Sequence, residues 1–199
     1  MQGIRQFHDI DFSRTHNCPM TVPPVEWFDA PGGEPVVLCE YTNAWLLSAS
    51  NWIKRIRSAL SAIDVEIDHV GSTAVPGLLA KPVIDLQVQV PDLSDESAYV
   101  PPLETLGLVL RARGNDFRFL RPPTGQQRDV HVHVCEKGSR WARDHLTFRD
   151  ALRVDSARAT EYGNLKSGLA QTNGHDRAAY NAGKASFIRK VIDSQPESH

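Results

Sequence analysis

The sequence predicts an α+β domain: a mixed sheet packed by helices, followed by a helical C-terminal part. Three observations predict it. Runs at 65–70, 83–90 and 128–135 alternate or concentrate apolar residues over strand length. From Ser139 onward the apolar spacing changes to three and four residues, the period of one helix face. Strands gathered first and helices after is the order of an α+β chain, not of a repeating βαβ unit.

The elements follow in order. Residues 1–35 read as an N-terminal arm or lid. Pro19, Pro23, Pro24, Pro31 and Pro35 fall there with Gly32-Gly33, a loop composition. The domain proper is then 36–199. Val36–Tyr41 is the first expected strand. Asn43 is placed to cap a helix from Ala44 to Leu60, with Trp45, Ile53, Ile56 and Leu60 on its buried face. Val65–Val70 alternates as a strand, and Gly71-Ser72-Thr73 turns sharply after it. Val83–Val90, between Pro82 and Pro91, is another strand. Ser94 is expected to cap a helix to about Leu106. Leu108–Arg113 and Phe117–Arg121 suggest two strands turning near Gly114-Asn115, and Arg128–Cys135 is the last strand. Three helices finish the chain. The first carries Trp141, His145, Phe148 and Leu152 on one face. The second is capped by Ser156. After a break at Asn173-Gly174, the third covers Asp176 to Ile192.

Composition narrows the function. The 199 residues suit one domain with an extension. The 41% of hydrophobic residues exclude a disordered chain. A net charge of −2 argues against a DNA-coating protein, so no DNA partner is expected. No run approaches the roughly 18 apolar residues of a membrane helix, so no membrane is expected either. Met1–Asp9 has no basic region followed by an apolar run, and Cys18, Cys39 and Cys135 form no CxxC pair. A cytoplasmic protein with reduced thiols is the expectation.

The densest chemistry lies between Glu66 and Val88. A strand ends at Gly71-Ser72, a short turn follows, and the next strand carries Asp85. A glycine lets backbone come close to a ligand, and the amides opening the next turn suit an anion. An acid on the adjacent strand could hold a divalent metal beside phosphates. That is the logic of nucleotidyl transfer. On the last strand, Asp129, His131 and His133 alternate with Val130, Val132 and Val134, which puts the polar residues on one face. Asp85, His131 and His133 could share a metal if the two strands are neighbours. Imidazoles with a carboxylate suit Zn²⁺, Mn²⁺ or Fe²⁺ better than Mg²⁺. The plainer alternative is that the histidines hydrogen-bond the sheet or bind phosphate. Asp64, Glu66 and Asp68 also alternate, and read as a solvated strand edge.

The run from Asp68 to Asp85, His-x-Gly-Ser-Thr-x-Val-Pro-Gly-Leu-x-x-Lys-Pro-x-x-Asp, closely resembles the GrpB-like family. Further matches follow in order: His131-Val132-His133-Val134, Phe148-Arg149-Asp150-x-Leu152-Arg153, Tyr162-x-x-Leu165-Lys166, and Tyr180 with Lys184. Glu40-Tyr41-x-x-x-Trp45 fits the family's opening. The resemblance spans roughly 36–192. It implies the nucleotidyltransferase fold, and through members fused to dephospho-CoA kinase it implies that kinase as a possible partner. The superfamily pattern is Gly-Ser, two acids at i and i+2 on one strand, and a third acid on a neighbour. Gly71-Ser72 and Asp85 match. Gln87 stands at the second acid, and histidines stand where the third is expected. His131–Cys135 also partly resembles the histidine-triad hydrolases, which need a third histidine where Cys135 stands.

The expected function is binding of a nucleoside triphosphate with a divalent metal (Mg, Mn or Zn), and transfer of a nucleotidyl or phosphoryl group to a small acceptor. Asp85, His133 and Lys81 are the expected catalytic residues. Gly71, Ser72, Thr73, His69, Arg149, Arg153, Lys166 and Lys184 are expected to bind substrate. Asp85, His131 and His133 are the expected metal ligands. For Arg149 and Arg153, at i and i+4 on one helix face, a structural ion-pair role stays open beside phosphate binding. Lys81 lies between the Gly-Ser turn and Asp85, which favours phosphate. Trp141, Phe148, Tyr162 and Tyr180 read as packing residues rather than a base-stacking platform. Two other functions stay open: a non-catalytic module for a nucleotide or other phosphorylated or carboxylated metabolite, and a biosynthetic enzyme reusing the pocket for other chemistry.

Overall fold

The computed structural model describes residues 25–28 and 35–195. Most of the expected N-terminal arm lies outside the described residues. Inside it, Glu26–Trp27 forms a short strand, β1. The elements that follow are α1 (Ala44–Ala59), β2 (Glu66–Val70), β3 (Ile84–Val90), α2 (Glu96–Glu104), β4 (Val109–Arg113), β5 (Phe117–Arg121) and β6 (Val130–Glu136). Helices α3 (Arg140–Val154), α4 (Ser156–Asn173) and α5 (Arg177–Asp193) complete the chain. The strands form one six-stranded mixed sheet in the order β1-β4-β5-β6-β3-β2, and only β3 and β6 are parallel.

The alternation expected of the strands is what builds the two faces. Ile84, Leu86, Val88 and Val90 of β3, with Val130, Val132 and Val134 of β6, join Trp45, Trp52 and Ile56 of α1 and Tyr99 and Leu103 of α2 in the main core. Asp85, Gln87, His131, His133 and Cys135 therefore face the other way. On that side α3 packs against β2 and β6. A second apolar cluster, including Phe148, Leu152, Tyr162 and Ile188, joins α3, α4 and α5 to the turn after β2 through Val75 and Leu78.

Local chemistry changes four expectations. Val36–Tyr41 is not a strand: Cys39 and Ala80 exchange two backbone hydrogen bonds (2.8 and 3.0 Å) and no ladder extends from them. An apolar run becomes a strand only where a partner edge continues. Asn43 makes no side-chain cap; Thr42 Oγ1 accepts from the Ala44 amide instead (3.3 Å). Ser94 is occupied by Asp92, to which its amide and hydroxyl donate (2.8 and 2.6 Å), so α2 starts later, at Glu96. Ser156 is the first residue of α4 and not its cap. Asp155 caps it, accepting from the Arg158 amide (3.0 Å). The Ser139 and Asp176 side chains do cap α3 and α5.

Candidate functional site

The site grows from the β2–β3 corner. Gly71 ends β2 with φ 69° and ψ −171°, a backbone region open essentially to glycine. A Cβ on Gly71 would meet the Asp85 Oδ2 at 2.5 Å. The glycine is thus required twice, by its torsion and by the carboxylate against it. Ser72–Ala74 then form a single 3₁₀ turn. Two side chains brace it. Thr73 donates its hydroxyl to the Val83 carbonyl (3.3 Å) and is bonded to His69 Nε2 (2.9 Å). With its proton used on that carbonyl, the Thr73 hydroxyl accepts from His69 Nε2–H. Burial then holds His69 neutral, its pKa lowered to about 4.

Asp85 is the first polar residue of β3. The parallel register sets it against His131, and Gln87 against His133. Asp85 Oδ1 lies 3.1 Å from His131 Nδ1 and 4.0 Å from His133 Nε2. One ligand atom from each of the three lies within 4.8 Å of the others. The donor set, one carboxylate and two imidazoles, fits a divalent transition ion better than Mg²⁺. Gln87 is fully buried on the same face. Its Nε2 donates to the Ala142 carbonyl (3.3 Å), and its Oε1 makes no hydrogen bond among the described residues. Asp129, by contrast, precedes β6 and does not join the group; its carbonyl accepts from the Ile84 amide (2.9 Å).

Behind the trio stands an aromatic wall that the sequence did not announce. The Phe119 ring lies 5.1 Å from His131 and 5.0 Å from His133. Trp141 lies 5.6 Å from His133 and 3.7 Å from His145. His145 Nδ1–H donates to the Trp141 carbonyl (2.8 Å), and burial lowers its pKa to about 3. The Trp141–His145 pair is i, i+4 within α3, whereas the contact of Trp141 with His133 depends on how α3 sits over β6, which local spacing cannot report.

The cations divide into two groups. Lys81, Lys166 and Lys184 line a cleft open to solvent, together with Gly71, Ser72, Thr73, Asp85 and His131. Lys166 donates to Ser72 Oγ (2.8 Å) and to the Leu79 carbonyl, and its Nζ lies 4.8 Å from the Tyr162 ring. Lys184 Nζ stands 4.7 Å over Tyr180, and Lys81 Nζ 5.9 Å over the same ring. Phe148 and Tyr162 therefore both pack the helices and face the cleft, and the buried Tyr180 lines it with them. Arg149 and Arg153 are not in its lining. Arg149 donates to Asp68 (3.2 Å), Asp150 (2.7 Å) and the His69 carbonyl (3.1 Å), and Arg153 donates to the Ala74 carbonyl (2.9 Å). Both hold α3 to the β2 corner. The acidic edge is bridged too: Lys137 meets Asp64 and Glu66, each at 2.9 Å.

Cys135, on the same strand face as the histidines, is fully buried, and desolvation pushes its pKa up to about 12. It is a packing residue in this fold, beside Trp141 and Phe117.

Comparisons with known proteins show the family and the fold. A family profile described as GrpB protein matches residues 35–194. A UPF0157 protein of Streptomyces coelicolor is 38% identical over 85% of this chain and 89% of its own length. A dephospho-CoA kinase of Mycolicibacterium paratuberculosis is 37% identical over 78% of this chain, which spans 44% of that protein. The crystal structure of conserved protein GrpB from Enterococcus faecalis superposes with a TM-score of 0.71 at 31% identity, over 79% of this chain and 95% of that one. The structure of the GLD-2/RNP-8 complex gives a TM-score of 0.53 at 13% identity, over 77% of this chain and 59% of that one, a likeness of fold alone. The fold is the nucleotidyltransferase-like α+β fold. Among the described residues no helix is long and apolar enough to cross a membrane.

Proposed function

The chain belongs to the GrpB family, and from that membership and the corner geometry we propose that it binds a nucleoside triphosphate with a divalent ion and transfers a nucleotidyl or phosphoryl group to a small acceptor. One observation carries the reading: a glycine that only glycine can be stands against the acid of an Asp85–His131–His133 group and opens onto a lysine-lined cleft. The Gly71 turn lets phosphate oxygens approach backbone, with Ser72 and Thr73 beside them. Lys81, Lys166 and Lys184 oppose the phosphate charge. Asp85, His131 and His133 would hold the ion, whose chemistry is added positive charge beside the reacting phosphate. In nucleotidyl transfer an acceptor oxygen attacks the α-phosphorus and the bond to the bridging oxygen breaks. Pyrophosphate leaves with that electron pair, and the acceptor proton passes to solvent. No protein nucleophile is needed. Positioning is the work of the chain: His69 and Thr73 brace the turn, and Arg149 and Arg153 fix α3 against it.

The test is thermal stability of metal-stripped protein with Mg²⁺, Mn²⁺ or Zn²⁺, each with and without ATP, CTP, GTP and UTP. A ligand at 100 times its dissociation constant adds about 2.7 kcal/mol. Stabilisation by a nucleotide only with metal, lost in Asp85→Ala and His133→Ala, is the expected result. No stabilisation by any pair would reduce the fold to ancestry.

Gln87 favours a second reading, a binding module without turnover. The second acid position carries an amide fixed to α3, so a carboxylate pair on β3 is absent. Such a module would still hold a phosphorylated or carboxylated metabolite. The dephospho-CoA kinase relative supports a kinase of that type as its protein partner. We place either activity in the cytoplasm, from the free Cys39 and Cys135 thiols.

A further inference from the structure

The residues assigned so far lie on one line across the sheet. Gly71 follows Val70, Val70 pairs with Asp85, and Asp85 pairs with His131. The line continues onto β5. There Phe119 pairs with His133 and Leu120 with Val132, running antiparallel, so the next residue along, Arg121, stands beside His131. The contacts of the Phe119 ring with both histidines fix its side chain on the Asp85 face. A period of two then puts Arg121 on that face as well. Arg121 is only 4% exposed, so it belongs to the interior and not to the rim.

Two more arginines meet at the same end. Val109 of β4 pairs with Arg121, and the register slips between Leu110 and Ala112. Arg111 is the extra residue of that bulge, a device that re-aims a side chain. It too is 4% exposed, and its Nη1 donates to Thr124 Oγ1 (3.3 Å) in the loop after β5. Arg128 closes the same loop. Its charge is near enough to add to burial in lowering the Arg111 pKa. All three make further contacts, so an incoming ligand would join side chains that already have partners. Arginine forks suit planar carboxylates and phosphate oxygens.

Position decides what this anion site would serve. At a transferring phosphorus the attacking and leaving oxygens lie roughly in line. The lysines stand at the Gly71 end, where the leaving phosphates would be held. The acceptor must then enter from the opposite end of the line, past His131. We propose that Arg111, Arg121 and Arg128 form the acceptor subsite, and that the acceptor is a small molecule carrying a carboxylate or phosphate group. The proposal rests on the nucleotidyl-transfer reading for the word acceptor, but the anion site itself is tested apart from it.

The experiment is calorimetric titration of the full chain with inorganic phosphate and, separately, with succinate. A parallel titration uses ATP with Mn²⁺. Wild type, Arg121→Gln, Arg128→Gln and Lys184→Gln are compared. Arg128 is half-buried, so its variant serves even where the Arg121 substitution impairs folding. The expected result is binding of at least one anion, weakened about tenfold or more by either arginine change and less than that by Lys184→Gln, as the loss of a charged hydrogen bond requires. The Mn–ATP affinity should fall with Lys184→Gln and hold within about twofold in the arginine variants. Which anion binds tells a phosphate acceptor from a carboxylate one. No binding of either anion, or anion affinity that follows Lys184 and ignores the arginines, overturns the subsite. Loss of Mn–ATP binding in the wild type would overturn the transfer reading instead, a different failure with its own signature.

Discussion

Gly71→Ala is the sharpest perturbation of the corner. Two costs can be worked from the structure. The first is conformational: at φ 69° and ψ −171° an alanine pays strain on the order of 1–3 kcal/mol. In a chain of this length each kcal/mol moves the melting temperature by about 2–4 °C. A fall of about 4–8 °C follows for a mid-range cost of about 2 kcal/mol. The second is steric. The new Cβ would stand 2.5 Å from Asp85 Oδ2, 3.0 Å from its Cβ and 3.1 Å from its Cγ. Carbon contacts settle at about 3.5–4.0 Å, so the whole Asp85 side chain must retreat by about 1 Å. Metal sites tolerate about 0.2 Å in ligand distance. Affinity for Mn²⁺ or Zn²⁺ should fall at least about tenfold. Gly77→Ala separates the two costs: its φ is 77°, but nothing lies within 4 Å of the added Cβ. It should lose stability of the same order and keep its metal affinity. Melting by calorimetry and metal titration of both variants read the two terms. Equal metal affinity in Gly71→Ala and wild type would refute the link between this glycine and the carboxylate.

Acid should act through two sets of groups. Glu96 is bonded by Arg113 (2.6 Å) and Arg118, and its pKa is held down at about 2 from 4.5. Its stabilisation is complete above 4.5 and is lost as pH falls towards 2. With solvent screening of the part-exposed Arg113 it is worth about 2 kcal/mol, so acid titration of Glu96→Gln should show a shallower loss than wild type. His69 and His145 have folded values of about 4 and 3, below the usual 6.5. The unfolded chain binds their protons first, so stability should decline from pH 6.5 downward through those values. Proton NMR should find both rings neutral at pH 5.5; a charged His145 at that pH would contradict its buried setting. Cys135 should resist a thiol reagent in the native protein and react on unfolding, and rapid native labelling would refute its buried position. Arg149→Met should cost about 2 kcal/mol by freeing Asp68 and the His69 carbonyl, with phosphate affinity little changed; loss of affinity without loss of stability would return Arg149 to substrate binding.

Much of this was legible in the sequence because strand alternation is a local signal. His131 and His133 opposite Val130, Val132 and Val134 could be assigned to faces from spacing alone, and the apolar face does form the core. The meeting of Asp85 with His131 needed one more fact, the parallel pairing of β3 and β6, which spacing left conditional. What stayed hidden is tertiary. Val36–Tyr41 has strand composition, but among the described residues only Cys39 forms a β-bridge. Arg111 and Arg121 look like ordinary strand polar residues until a bulge and a neighbouring histidine place them inside. His145 marks a helix face in the sequence and meets Trp141 four residues away on it, yet its nearness to His133 (6.4 Å) comes from the docking of α3. Arg149 and Arg153 were open between ligand and brace, and in this structure both donate to backbone carbonyls of the β2 corner, a contact that spacing could not report.

Gln87 ties these observations into one account of the site. Two residues beyond Asp85 on the same face, a carboxylate would face the Ala142 carbonyl that Gln87 Nε2 now satisfies. A buried charge beside a carbonyl oxygen costs several kcal/mol, and α3 would have to move away. The amide instead pins the first turn of α3 to β3. That pin lets Trp141 and His145 close over His133, and it brings Arg149 back to the β2 corner. Further donors for an ion would then come from the neighbouring strand, where the register supplies the neutral imidazoles of His131 and His133. The donor set that results is poorer in charge and softer than a carboxylate triad, which favours Mn²⁺ or Zn²⁺ over Mg²⁺. Gln87→Glu should therefore not restore Mg²⁺ affinity. It should lower the melting temperature and loosen α3, measurable as faster amide exchange in its first turn. Tighter Mg²⁺ binding at unchanged stability would show that α3 is not held by this amide.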